Sequence, residues 1–170
     1  MKRILHKIRG NSTPPARPHC WQIAVGLIGG SLGIGLIALL THAQQLPLLM
    51  APLGATCVLL FAAPDSPLAQ PRSVVGGHLV SALVGLVFLK YMGSGPLEMG
   101  LAVGLAIALM QATRTLHAPA GANPLVVLMS GKAGWSFLIT PVLVSAVILV
   151  LLAVLVNNVG ANRQWPRYWL

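Results

Sequence analysis

The pentapeptide Ala-Pro-x-Gly-Ala interrupts strongly apolar sequence twice, at Ala51-Pro52-Leu53-Gly54-Ala55 and at Ala118-Pro119-Ala120-Gly121-Ala122. The copies start 67 residues apart, and each leads into a short apolar run, Val58-Leu59-Leu60-Phe61 and Leu125-Val126-Val127-Leu128. Proline disfavours helix at the residue before it and removes a backbone donor, while glycine tolerates unusual backbone angles. Paired interruptions at corresponding places in two halves of a membrane protein point to a binding site built from broken helices.

Composition places the chain in lipid. Hydrophobic residues make up 56% of it, charged residues only 8%, and the mean hydropathy of +0.81 lies outside the range of soluble domains. Asp65 and Glu98 are the two acids, against eleven Lys and Arg. That surplus does not point to nucleic acid, because no basic patch with interleaved aromatics exists. Lys2, Arg3, Lys7, Arg9 and Arg17 instead precede an apolar stretch, which orients that end toward the cytoplasm. The expected location is the inner membrane of a bacterium, with the lipid bilayer as partner and both termini cytoplasmic. The first apolar run is too long for the core of a cleavable signal and reads as a retained span. Cys20 and Cys57 form neither a disulfide framework nor a metal signature and read as small packing residues.

The expected domain plan is a basic arm over 1–20, one transmembrane domain over 21–156 and a short tail over 157–170. Within the domain, spans are expected over 21–40, 73–92, 97–113 and 134–156, and broken segments over 46–63 and 116–131. The fold class is an all-α membrane bundle of two related three-segment halves, 21–92 and 97–156. Three is odd, so the halves would be inverted relative to each other. Gln44 and Gln111 share the 67-residue offset, and Leu79-Val80-Ser81-Ala82 resembles Leu143-Val144-Ser145-Ala146. Six crossings put nine basic residues on the cytoplasmic side against two, and four crossings give eight against three, which slightly favours six. Gly26/Gly30 and Gly29/Gly33 let helices approach closely. They read as packing within the bundle, with a homo-oligomer interface as the alternative.

A helix start after each proline would leave backbone N–H groups unpaired around Gly54-Ala55-Thr56 and Gly121-Ala122-Asn123, and a helix N-terminus attracts anions. Two such starts meeting in mid-bundle would hold a small anion, with Thr56 and Asn123 adding side-chain donors. Close packing alone also explains such breaks. Arg72, Arg114 and His117 lie beside them as candidate ligands, although both arginines read equally well as interface anchors. His78 reads first as a satisfied packing histidine, and His42 as loop. Asp65 suits a turn, and Glu98 the first turn of a helix. The absence of a buried acid disfavours cation coupling, no catalytic triad or carboxylate pair suggests an enzyme, and no metal or other cofactor is expected.

The segments Ala51-Pro52-Leu53-Gly54-Ala55-Thr56, Ala63-Pro64-Asp65-Ser66-Pro67-Leu68-Ala69-Gln70-Pro71-Arg72, Gly76-Gly77-His78 and Thr113-Arg114-Thr115-Leu116-His117-Ala118-Pro119 resemble the HPP family of integral membrane proteins. The name-giving motif here reads His117-Ala118-Pro119. The resemblance covers roughly 21–156 and implies four spanning helices. Plastid and cyanobacterial relatives are linked to nitrite transport, so it also implies a small-anion transporter. The alternative is a non-transporting sensor or assembly protein whose helix breaks are structural.

Overall fold

The computed structural model describes residues 12–160 and 163–170, all of them helical or irregular, with no strand among them. Lys2, Arg3, Lys7 and Arg9 of the basic arm, and 161–162 of the tail, lie outside the described residues. Helix α1 is Cys20–Gln44, α2 is Ala51–Cys57, α3 is Pro71–Tyr91, α4 is Pro96–Ala112, α5 is Asn123–Ser130 and α6 is Val144–Asn157. A π-helical turn, Val58–Ala62, continues α2, and a 3-10 turn, Ala118–Ala122, leads into α5. The segment before α6 is itself irregular: a 3-10 turn, Trp135–Leu138, then a second π turn with a non-helical Thr140. Pro141 follows that residue and explains the interruption, because it has no N–H to give the helix.

Contacts between element ends establish the path of the chain. The Arg163 guanidinium lies 5.9 Å from the Trp21 ring, Asn157 Nδ2 donates to the Leu60 carbonyl and Trp165 Nε1 donates to the Pro64 carbonyl. The start of α1, the end of the first broken segment and the end of α6 therefore share one end of the bundle. Arg72 donates to the carbonyls of Thr113 and Arg114, which brings the start of α3 and the end of α4 to that same end. Lys90 lies 5.2 Å from the Trp135 ring at the opposite end. Six segments thus run alternately between the two ends.

Three of them, Cys20–Gln44, Pro71–Tyr91 and Trp135–Asn157, are long and apolar enough to cross a membrane, the last with its interruption at Thr140; Pro96–Ala112 is a shorter apolar helix, and two segments are broken. Of the four spanning helices that the resemblance implies, three have that length. Helices α1 and α3, with 25 and 21 residues, are about 37 and 31 Å long at 1.5 Å per residue, enough for a hydrocarbon core of about 30 Å. The first broken segment, Ala51–Ala62, supplies only about 18 Å of helix. Gln45 turns in the left-handed region, and the irregular residues 46–50 precede the helix, adding at most about 16 Å at roughly 3.3 Å each. Irregular backbone at such depth survives only where protein satisfies it. Part of that need is met by Ser145 Oγ, which is buried and donates to the Leu48 carbonyl at 2.8 Å.

Helix α3 is the axis of the bundle. Its Val74 and Ala82 join Ile37, Leu53, Leu60, Phe61, Val142 and Leu149 in the larger apolar core. Its Val84 and Phe88 join Ala102, Ala106 and Leu128 in a smaller one. Leu27 and Leu39 on α1, Leu97 and Leu101 on α4 and Leu151 and Leu155 on α6 point outward. Apolar side chains on the outside, around an interior that is apolar apart from a few buried polar residues, suit lipid.

Glycines set the closest approaches. A Cβ on Gly77 would lie 2.6 Å from the Thr115 carbonyl oxygen and 2.7 Å from His117 Cβ, and one on Gly85 would lie 2.9 Å from Pro124 Cα. These two glycines let the chain around 115–127 run directly across α3. The small residues of α1 divide in two. Gly29 and Gly33 pack inside the chain, against Phe61 and against Leu149 and Cys57. A Cβ on Gly26 would only just reach Ala62, at 4.0 Å, and one on Gly30 would meet open space. Gly77→Ala and Gly85→Ala are expected to destabilise the fold by about 1–3 kcal/mol through overpacking. Gly54→Ala and Gly121→Ala, which have open space around the new methyl, should not. Thermal unfolding in detergent separates the pairs, and equal losses in all four variants would contradict this packing.

Candidate functional site

The two broken segments meet α3 at four buried polar side chains: Thr56 from α2, His78 from α3, His117 before the second motif and Asn123 at the start of α5. All four are 0% exposed. Thr56 Oγ1 lies 2.9 Å from His78 Nε2, 3.0 Å from His117 Nε2 and 3.1 Å from the Pro52 carbonyl oxygen. Asn123 Nδ2 lies 3.0 Å from His78 Nδ1 and 3.1 Å from the His78 carbonyl oxygen. His117 Nδ1 lies 2.7 Å from the Leu68 carbonyl oxygen.

Two backbone carbonyls determine where the protons sit, because a carbonyl only accepts. The His78 carbonyl turns the Asn123 NH2 group toward it, so the same amide also donates to His78 Nδ1. Neutral His78 then carries its proton on Nε2 and donates to Thr56 Oγ1. At the other end the Leu68 carbonyl takes the proton of His117 Nδ1, leaving Nε2 as an acceptor for the Thr56 hydroxyl. The result is a one-way chain of donors from Asn123 through His78, Thr56 and His117 to Leu68. One atom is left over: Asn123 Oδ1 is buried with no hydrogen-bond partner among the described residues. An unpaired buried acceptor costs about 1–3 kcal/mol.

The motif glycines and alanines sit elsewhere. Because Pro52 and Pro119 stand at the beginning of their helical turns, the turns start at Ala51 and Ala118, not after the glycine. Gly54, Ala55 and Thr56 are therefore one turn inside helix, as are Gly121 and Ala122 inside the 3-10 turn. The N–H groups of these residues are not the free donors expected there from the sequence. Helix starts accommodate proline easily, since the first N–H groups have no helical partner to lose. Outside the buried cluster, Ala51, Pro52, Ala55, Val58 and Leu59 face Ala118, Pro119 and Ala122 across an apolar groove of about 570 Å³. The polar pocket expected between two facing helix ends is thus, on this face, a groove without polar walls.

Arg72 and Arg114 stay outside the cluster. The Arg72 guanidinium holds the carbonyls of Thr113 and Arg114 at 2.9 and 3.1 Å, at the C-terminal end of α4, where a cation also meets the negative end of the helix dipole. Arg114 is exposed and has φ +57, in the left-handed region. It closes α4 in the way glycine usually does, with the Thr115 N–H bonded back to the Met110 carbonyl. Asp65 pairs with Arg167 at the surface.

Thr56, Asn123 and His117 stand beside the breaks in the sequence, and the fold brings all three together. Spacing alone does not reveal that His78 links them, nor that the carbonyls of Pro52 and Leu68 take part. Gly76-Gly77 ahead of His78 carries a signal: these glycines admit Thr115 and His117 against α3. Ser81 stands out in the sequence only through a weak internal similarity, yet its hydroxyl donates to the Ala120 carbonyl in the second motif.

A family model described as HPP, transmembrane region, matches residues 15–166. Two transmembrane proteins of Dictyostelium discoideum are similar to this chain. One is 36% identical over 171 residues, covering 94% of this chain and 60% of the relative. The other is 35% identical over 174 residues, covering 96% and 56%. The chain therefore spans less than two thirds of the length of these relatives. No solved structure matches it.

Thr56→Val keeps the shape of the side chain but removes the hydroxyl from two imidazoles. It should lower stability by about 1–3 kcal/mol for each partner left unpaired. Thr56→Ser, which keeps the oxygen, should lose much less. Unfolding midpoints in detergent measure both, and equal midpoints for the Ser and Val variants would show that the hydroxyl does not hold the cluster.

Proposed function

The chain belongs to the HPP transmembrane family, and from that premise we propose that it carries a small, nitrite-like anion across the membrane. One observation carries the reading: both broken segments deliver a polar side chain, Thr56 and Asn123, to the same buried histidine of α3. Polar and ionisable groups deep in a membrane bundle are costly and mark solute or proton pathways. Four of them gathered at the junction of two discontinuous segments match where secondary transporters hold their substrates.

The site differs in kind from a pair of bare helix ends. Its donors are side chains, and in the closed arrangement they are occupied by one another. An anion reaching the centre would exchange these internal bonds for bonds to itself. The seam between the motifs is the natural entry. Ala55, Ala118 and Ala122 line the apolar groove, and each is the chain neighbour of a cluster residue, Thr56, His117 or Asn123. Parting the seam would connect the groove to the cluster. The exposed arginine Arg114, with Arg72 at its carbonyl, would draw anions toward the basic end.

The two three-segment units read as an inverted pair. Ser81, in the third segment of the first unit, donates to a carbonyl in the second motif; Ser145, in the third segment of the second unit, donates to a carbonyl just ahead of the first. Arg72, Arg114, Arg163 and Arg167 lie at one end and Lys90 and Lys132 at the other, so the first end would face the cytoplasm.

Proteoliposomes test the proposal. Purified protein should drive uptake of nitrite or nitrate above the rate of empty vesicles. His117→Gln and Asn123→Leu, confirmed as folded, should reduce it about tenfold or more, the loss expected for one hydrogen bond to a charged group. Absence of uptake across nitrite, nitrate, formate and chloride would sink the transport reading.

A further inference from the structure

The Thr56 hydroxyl has one proton and two acceptors. His117 Nε2 at 3.0 Å and the Pro52 carbonyl at 3.1 Å both face Oγ1, while His78 Nε2–H donates to it. With both imidazoles neutral, the hydroxyl serves His117 and leaves Pro52 with the weaker share. Adding one proton to His117 Nε2 reverses that link without moving a heavy atom. His117 then donates to Thr56 Oγ1 as well as to Leu68, the hydroxyl turns to the Pro52 carbonyl, and every donor still has an acceptor. The cluster has a built place for one extra proton.

That proton would bring a charge with no protein counter-charge. On the elements packed around the pair, Arg72 is held by carbonyls, Arg114 is exposed, and the Cys57 thiol faces Gly33, with its sulfur 3.1 Å from where a Cβ on that glycine would lie. Asp65 is paired with Arg167 at the surface, and Glu98 lies in the first turn of α4 at the opposite end. No carboxylate among the described residues reaches His117. A lone buried cation is strongly unfavourable, and so is a lone buried anion. Together they cancel.

We propose that His117 binds one proton, with Thr56 as the rotor that accommodates it, and that the anion crosses together with that proton as an electrically neutral pair. The proton comes from solvent entering the seam. Hydronium breaks one O–H bond and leaves as water, keeping the electron pair, and the Nε2 lone pair forms the new N–H bond; release on the far side reverses the step. This inference rests on the transport reading and names its coupling ion.

The test uses proteoliposomes of the full chain, with nitrate as substrate and a pH-sensitive dye inside. Acid outside should drive nitrate inward with one proton entering per anion, and clamping the membrane potential with potassium and valinomycin should leave the rate unchanged. His117→Gln should abolish the response to the pH gradient. Thr56→Val should lose the one-to-one ratio, and Thr56→Ser should restore it. Uptake that follows the membrane potential with no internal pH change overturns the proposal, as does pH-driven uptake surviving in His117→Gln. A second readout does not need transport: nitrogen-15 spectra of histidine side chains in nanodiscs. Neutral His78 should carry its proton on Nε2 and neutral His117 on Nδ1, and adding nitrate at mildly acid pH should convert His117 to the doubly protonated form. That conversion without any uptake would leave proton-linked anion binding standing while the transport reading falls. Unchanged His117 signals would overturn the proton site itself.

Discussion

A single hydroxyl joins three of the six segments. Thr56 on the first broken segment touches a histidine from α3 and a histidine from the approach to the second motif, and both contacts are fully buried. In an apolar bundle such links have no water to compete with them, and their loss leaves imidazole nitrogens without partners. The apolar cores alone would not set the register of α2 against residues 115–122, because small alanines and glycines there pack in many ways. Directional bonds to Thr56 select one.

The glycines of α3 make that bond geometrically possible. Gly77 has no side chain where His117 and the Thr115 carbonyl pass, and Gly85 has none where Pro124 passes. The second broken segment can then lie directly on α3, placing Asn123 against His78. Arg72 secures the same region from outside by holding the end of α4, so that the turn at Arg114 delivers Thr115 and His117 to the helix. The tail closes the end of the bundle: Trp165 and the Arg167 backbone N–H bond to Pro64 and to the Gln70 side chain. The polar chain in the middle is thus supported from several elements, as positioning of a binding centre requires.

Much of this is legible in the residues. Three of the four spans, the two breaks and the pairing of Thr56 with Asn123 as equivalent positions follow from hydropathy and from the repeated motif, whereas the interruption at Thr140, inside the span expected over 134–156, does not. The expected role of the motif backbone does not follow. Proline at the beginning of a turn starts the helix at once, so Gly54 and Ala55 fall within it, and the free donors expected at those positions are not formed. Arg72 and Arg114 resemble ligands in the sequence because charge near a membrane break is conspicuous. Their work is at a helix end and a left-handed turn, which sequence spacing cannot distinguish from ligation.

Composition and the spacing of prolines and glycines determined that this chain is an all-helical membrane protein with two broken segments, because lipid admits only helices or closed barrels and long continuous apolar runs, without the alternation of barrel strands, satisfy their backbone as helices. They did not determine which polar residues meet. His78 lies 22 residues from Thr56 and 45 from Asn123 in the chain, and no local periodicity relates positions so far apart. The meeting depends on how α3 crosses both broken segments, which is set by the close approaches at Gly77 and Gly85 and by the bonds that close around Thr56. Only the tertiary structure decides that, because the directions of hydrogen bonds and the fit of side chains across segments exist only once the segments are packed.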